Sequence, residues 1–243
     1  PSQHTISLFN NGGFPLAYSV ILEETAGRDG DRFLGDVIDS YPSFPDSSMG
    51  MLFNGSDLYV VDNAQAKLKI FNTVSNTITA SYSIHSRPSG IAWDGEAFWI
   101  GDQGGYLYKY PLASLNSSNS VPVTSFKSPT NGIPSFCWMG DAFLMNNAWV
   151  ESGNTTFYRV NRSGVTLETY SSNVGTFISQ IAWVPQYAEQ KLWAYQNVRD
   201  GDYFTSGKIL KLSLQSGSIS KTSEKVFHDN QIAFSFANDG KDL

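Results

Sequence analysis

Gly90-Ile91-Ala92-Trp93-Asp94-Gly95-Glu96-Ala97-Phe98-Trp99-Ile100-Gly101-Asp102 reads as two short strands joined by a tight turn. Apolar and aromatic residues flank Asp94-Gly95-Glu96, where glycine supplies the positive φ of a tight hairpin. The first four residues recur along the whole chain. The copies are Gly50-Met51-Leu52-Phe53, Ser135-Phe136-Cys137-Trp138, Gln180-Ile181-Ala182-Trp183 and Gln231-Ile232-Ala233-Phe234. Each is small or polar, then apolar, then mostly small and apolar, then aromatic. The aromatic residues lie 40, 45, 45 and 51 residues apart.

The residues after each copy repeat as well. Asn54-Gly55-Ser56 and Met139-Gly140-Asp141 occupy the turn, while the fourth copy has a longer turn with Pro185 and Tyr187. Second strands are predicted over 58–62, 98–102, 143–147 and 192–196, and third strands over 67–71, 106–110, 156–160 and 209–214. More polar fourth strands, over 78–84, 121–126, 165–170 and 218–227, suit an exposed sheet edge. Four strands in roughly 40–50 residues is the unit of a β-propeller blade. The fifth copy stops at Leu243, which by count from its aromatic matches Leu192, the first residue of a second strand. The missing strands are found at the other terminus, over 6–10, 16–22 and 32–39. The expectation is a single all-β domain over 1–243: a five-bladed β-propeller, its fifth blade closed by N- and C-terminal strands together. An open sandwich would explain neither the copies in register nor the split repeat.

Composition limits the partners. Charged residues make up 16% of the chain, below the roughly 25% of a typical soluble domain. The net charge is −6, and no Lys/Arg cluster could track a phosphate backbone, so nucleic acid is not an expected partner. No apolar run approaches the ~20 residues of a membrane-spanning helix. Cys137 is the only cysteine and reads as a small core residue. Asn54, Asn116, Asn154 and Asn161 begin glycosylation sequons, which favours a secreted protein over a soluble cytoplasmic one.

The segments Phe53-Asn54-Gly55-Ser56-Asp57-Leu58-Tyr59 and Ala92-Trp93-Asp94-Gly95-Glu96-Ala97-Phe98-Trp99 resemble first-to-second-strand hairpins of olfactomedin-type and of lactonase- or lyase-type propellers. Five blades is the olfactomedin count and also that of some invertebrate lectins. The resemblance implies a propeller fold and carries no catalytic residue over to this chain.

Propeller function sits on loops at the mouth of the central channel. On the face of the second-to-third-strand loops, the second strands end in a matched ring of Asp62, Asp102, Asn147, Gln196 and Asn10. Neighbouring positions add Asn197 and its counterparts. All carry side-chain oxygens. Asp62, Asp102 and Asn147 could coordinate Ca²⁺, and the whole ring could bond sugar hydroxyls. Equally, Asp and Asn start turns by bonding nearby backbone. The inter-blade loops of that face add His85, Arg87 and His228. Long loops over 146–153 and 196–207 contribute Trp149, Arg199 and Tyr203. The strands repeat but these loops do not, which argues for one asymmetric site rather than five equal pockets. The expected function is binding of a small polar ligand or glycan, lectin-like, with Ca²⁺ as the candidate ion. The alternatives are a lactonase-, lyase- or isomerase-like enzyme using the same site, and an extracellular protein-interaction module.

Overall fold

The second-blade hairpin folds because Asp94 organises it. The Asp94 Oδ1 accepts the backbone N–H of Glu96 and of Ala97, both at 2.9 Å, and Gly95 takes φ +94° in the turn between the strands. An aspartate that bonds backbone two and three residues ahead fixes a turn locally, before any tertiary contact forms. Gly140 takes φ +102° in the corresponding turn of the third blade.

A computed structural model describes residues 47–54, 57–185, 191–201 and 203–227. Four blades lie within them, each an antiparallel four-stranded meander. The first comprises β1 (Ser48–Asn54), β2 (Asp57–Asp62), β3 (Lys67–Asn72) and β4 (Thr77–Ser83). The second comprises β5 (Pro88–Trp93), β6 (Ala97–Asp102), β7 (Tyr106–Pro111) and β8 (Thr124–Lys127). The third comprises β9 (Pro134–Trp138), β10 (Phe143–Asn147), β11 (Phe157–Val160) and β12 (Thr166–Ser172). The fourth comprises β13 (Ile178–Trp183), β14 (Leu192–Asp200), β15 (Tyr203–Gln215) and β16 (Ser218–Phe227). Among the described residues there is no α-helix, and no helix long and apolar enough to cross a membrane. The fold is all-β and propeller-like. The strands expected over 6–10, 16–22, 32–39 and from Gln231 onward fall outside the described residues, and so does the closure of the ring.

The blades stand side by side with their first strands innermost, β1 against β5, β5 against β9 and β9 against β13. Their approach is close enough to demand glycine. A Cβ built on Gly50 would lie 2.8 Å from the Cα of Gly90. The hydrophobic core lies between sheets rather than within them. Val61 and Leu68 of the first blade pack on Ile91, Phe98 and Ile100 of the second. Trp99 and Leu107 of the second pack on Phe136 and Phe143 of the third, and Cys137 and Leu144 of the third on Ile181 and Ala194 of the fourth. Alternation within a strand thus feeds two cores at once in the second and third blades, each of which has a described neighbour on both faces.

Polar bonds join the blades at both ends. Asn63 Nδ2 donates to the Pro88 carbonyl at 2.7 Å, and Asn146 Nδ2 to the Ile178 carbonyl at 2.9 Å. At the other end, Arg162 of the third blade bonds the carboxylate of Asp94 in the second at 2.9 Å and its carbonyl at 2.8 Å, while its guanidinium lies 4.7 Å from the Trp138 ring centre.

Three details differ from the sequence-based expectation. Pairing in the fourth strand of the second blade begins at Thr124 rather than Val121; Val121 and Val123 are exposed. The segment 196–207 is not a loop. β14 and β15 continue past the blade as a paired arm, with Asn197 opposite Gly207 and Asp200 opposite Tyr203. Finally, β16 is not a free edge. It pairs in parallel with β12 through Ser171–Ser218 and Ser172–Ile219, so the third and fourth blades form one eight-stranded sheet. Glu168 accepts the Gly217 N–H at 3.1 Å beside that junction.

Candidate functional site

Register places the expected ring at equivalent positions. Ser48 pairs with Asp62, Pro88 with Asp102, Pro134 with Asn147 and Ile178 with Gln196. In the first, second and fourth blades a bulge interrupts the inner strand next to these pairs. Bulges re-aim backbone near a functional rim.

The ring side chains are engaged locally. Asp62 is buried; its Oδ1 accepts the Gln65 N–H at 2.9 Å and its Oδ2 pairs with the Lys69 ammonium at 2.6 Å. Asp102 accepts the Tyr106 N–H at 2.8 Å and the Tyr108 hydroxyl at 3.2 Å. Asn147 accepts the Trp149 N–H at 3.0 Å. Gln196 Nε2 donates to the Thr176 and Val174 carbonyls at 2.9 and 3.1 Å. The carboxylates serve turns and, in Asp62, an ion pair. Among the described residues no group of three or more His, Cys, Asp or Glu is placed to hold a metal ion, so the calcium expectation finds no support there. Asn10 and His228 lie outside the described residues.

His85 packs at a tilt against Tyr108 with ring centres 4.1 Å apart, and its Nδ1 lies 3.1 Å from the Tyr110 hydroxyl. Burial lowers its pKa, against the opposing charge of Asp102 and a backbone bond at Gly101. Burial and Asp102 together push the Tyr108 phenol up to about 12. A histidine with a depressed folded pKa is expected to titrate by NMR below the ordinary value near 6.5. Its contribution to stability is complete above the unfolded-state value. It is lost as pH falls from there through the folded value. Arg87 donates from Nε to Gln103 Oε1 at 2.8 Å.

The remaining candidates converge on the fourth blade. Gln196, Asn197 and Arg199 line one groove with Glu151, Thr176 and Lys208, of about 390 Å³. Lys208 is paired with Glu224 at 3.2 Å. Trp149 stands beside this groove, 42% exposed. Its ring meets Phe177 and Phe204 edge-on, each at 5.6 Å between centres, and Phe177 meets Phe204 at 5.2 Å. This T-shaped cluster holds the indole in place. The Arg199 guanidinium lies 5.8 Å from the Phe177 ring centre. Tyr203, at the tip of the arm, is 78% exposed. Sequence reasoning did not find Thr176 or Lys208, which reach the groove from separate segments. The structure therefore joins Gln196, Asn197, Trp149 and Arg199, and leaves Asp62, Asp102, His85 and Arg87 in other blades.

The fold has known counterparts. The chain superposes on hydrazine synthase of Kuenenia stuttgartiensis with a TM-score of 0.51 at 9% identity, covering 80% of this chain and 53% of that one. It superposes on glutaminyl cyclase of Myxococcus xanthus with a TM-score of 0.51 at 12% identity, covering 75% of this chain and 71% of that one. This chain therefore spans about half the length of the hydrazine synthase chain. Both counterparts are enzymes, and at this identity the likeness concerns the fold alone. No protein-family model matches the sequence, and no curated protein matches it.

Proposed function

We propose that the chain is a five-bladed ligand-binding propeller whose single asymmetric site is the groove of the fourth blade, and that the ligand is a small hydroxyl-rich molecule such as a sugar. The observation that carries this reading is the convergence of Glu151, Gln196, Asn197 and Arg199 on one groove beside a fixed, half-exposed indole. Each part has a task. An indole face covers the C–H face of a pyranose ring. The Glu151 carboxylate accepts hydroxyl protons, and the Arg199 guanidinium donates to ring or hydroxyl oxygens in a fixed fork. The Thr176 hydroxyl and the Gln196 Oε1, whose amide nitrogen already bonds two carbonyls, add polar groups along the wall.

The lactonase- or lyase-like alternative has less support. The described histidine, His85, is packed and hydrogen-bonded away from this groove.

A glycan array followed by calorimetry tests the proposal. At least one glycan is expected to bind, with affinity falling 10-fold or more in Trp149→Ala and in Arg199→Ala. Silence across the array, or binding indifferent to both substitutions, sinks it.

A further inference from the structure

The first strands end opposite the groove, and there the four described blades border a second concavity. It has a volume of about 330 Å³ and lies between the ends of β1, β5, β9 and β13. Phe53, Trp93, Trp138 and Trp183, the aromatic residues of the repeat, surround it at equivalent positions. All four are partly exposed rather than buried. Their rings are held from outside. Trp93 packs on Phe98 at 4.8 Å and Trp138 on Phe143 at 4.9 Å, with Arg162 over the Trp138 ring. Lys191 lies 6.0 Å from the Trp183 ring centre.

We propose that this cavity is a second binding site, selective for an uncharged, planar, bicyclic-sized ring system that carries a hydrogen-bond acceptor. Four features argue for that occupant. The described lining contains no charged side chain, so an ion would lose its hydration without gaining a partner. Cations already lie over Trp138 and Trp183, which disfavours a second positive charge against those rings. The Trp93, Trp138 and Trp183 indoles border the cavity, and an indole N–H is a donor suited to a ligand carbonyl or ring nitrogen. The volume falls at the low end of small-molecule pockets, enough for a compact ring system.

The test uses coumarin, which is neutral, planar and bears a carbonyl, with indole N–H resonances as the readout. The chain has six tryptophans, of which Trp93, Trp138 and Trp183 border the cavity and Trp99, Trp149 and Trp193 do not. Coumarin is expected to shift the first three saturably and leave the others in place. Coumarin-3-carboxylate is expected to bind at least 10-fold more weakly. Ala182→Phe, at a partly exposed lining position, fills the space and is expected to weaken coumarin binding at least 10-fold. An unchanged Trp149 resonance in that variant reports an intact fold. The proposal is overturned by the absence of saturable shifts, by shifts confined to Trp149, by equal binding of the carboxylate, or by indifference to Ala182→Phe in a folded variant. It is also overturned if raising the protein concentration alone moves the same three resonances, which would assign this face to a second copy of the chain.

Discussion

Replacing Asp94 by alanine is expected to lower the free energy of unfolding by roughly 4 kcal/mol. This takes about 1–3 kcal/mol for each of two buried donors left without an acceptor. Those donors are the Trp99 indole, 2.9 Å from Oδ2, and the Ala97 N–H, 2.9 Å from Oδ1. Both residues are fully buried. The same oxygen that holds Trp99 also receives Arg162, so the substitution unties the second blade from the third. Arg162→Ala is expected to cost much less, about 1 kcal/mol or below, because that side chain is 42% exposed and a half-solvated ion pair contributes little. Urea midpoints at constant slope measure both. The pH dependence has a definite sign. Burial alone would raise the Asp94 pKa, but the Trp99 indole, the two backbone N–H groups and Arg162 outweigh it and hold the carboxyl below the ordinary value. Its stabilisation is therefore complete above the unfolded-state pKa and disappears as pH falls through the lower folded one. Asp94→Asn should flatten that acid limb.

Gly50→Val is expected to be comparably severe, costing about 3 kcal/mol, the upper end of what overpacking a tight interior does. The obstacle is backbone: a Cβ at position 50 would meet Gly90 Cα at 2.8 Å and the Ile91 nitrogen at 3.0 Å. No rotamer change relieves such a contact, so the inner strands of two blades must separate. Gly104→Ala is the control. Its Cβ would approach only the Asp102 carboxylate, at 3.2 Å, in an exposed loop, and its cost is expected to stay within about 0.5 kcal/mol. Thermal unfolding of the two variants beside the parent chain decides the matter. Equal losses would show that the tight approach of β1 to β5 is unimportant.

The blades could be read because each one restates the same local chemistry. A small or polar residue, two apolar ones and an aromatic recur in every described copy, and register then aligns Asp62, Asp102, Asn147 and Gln196 at equivalent positions. The work of the ring side chains could not be read. The same oxygen that suits a ligand suits a turn, and only coordinates distinguish Gln65 N–H from a sugar hydroxyl as the donor to Asp62. The arm of β14 and β15 escaped for a related reason. Beyond Asn197 the arm packs on Trp149 and Phe177 through Phe204 rather than on a blade core, and the polar run Arg199-Asp200-Gly201 looks like loop. The groove draws Glu151, Thr176 and Lys208 from separate segments, and no periodicity relates them.

The pairing of β12 with β16 has a mechanical consequence. Between the second and third blades the seam rests on side-chain contacts, and the first and second are tied by two backbone bonds at Ser83, to Asn116 and from Ser120; between the third and fourth, strand pairs with strand. When the molecule breathes, the seam between the second and third blades is the one freest to gape. Glu151 stands on one side of the paired seam and Arg199 and Lys208 on the other, so the two banks of the groove travel together as a single rigid plate.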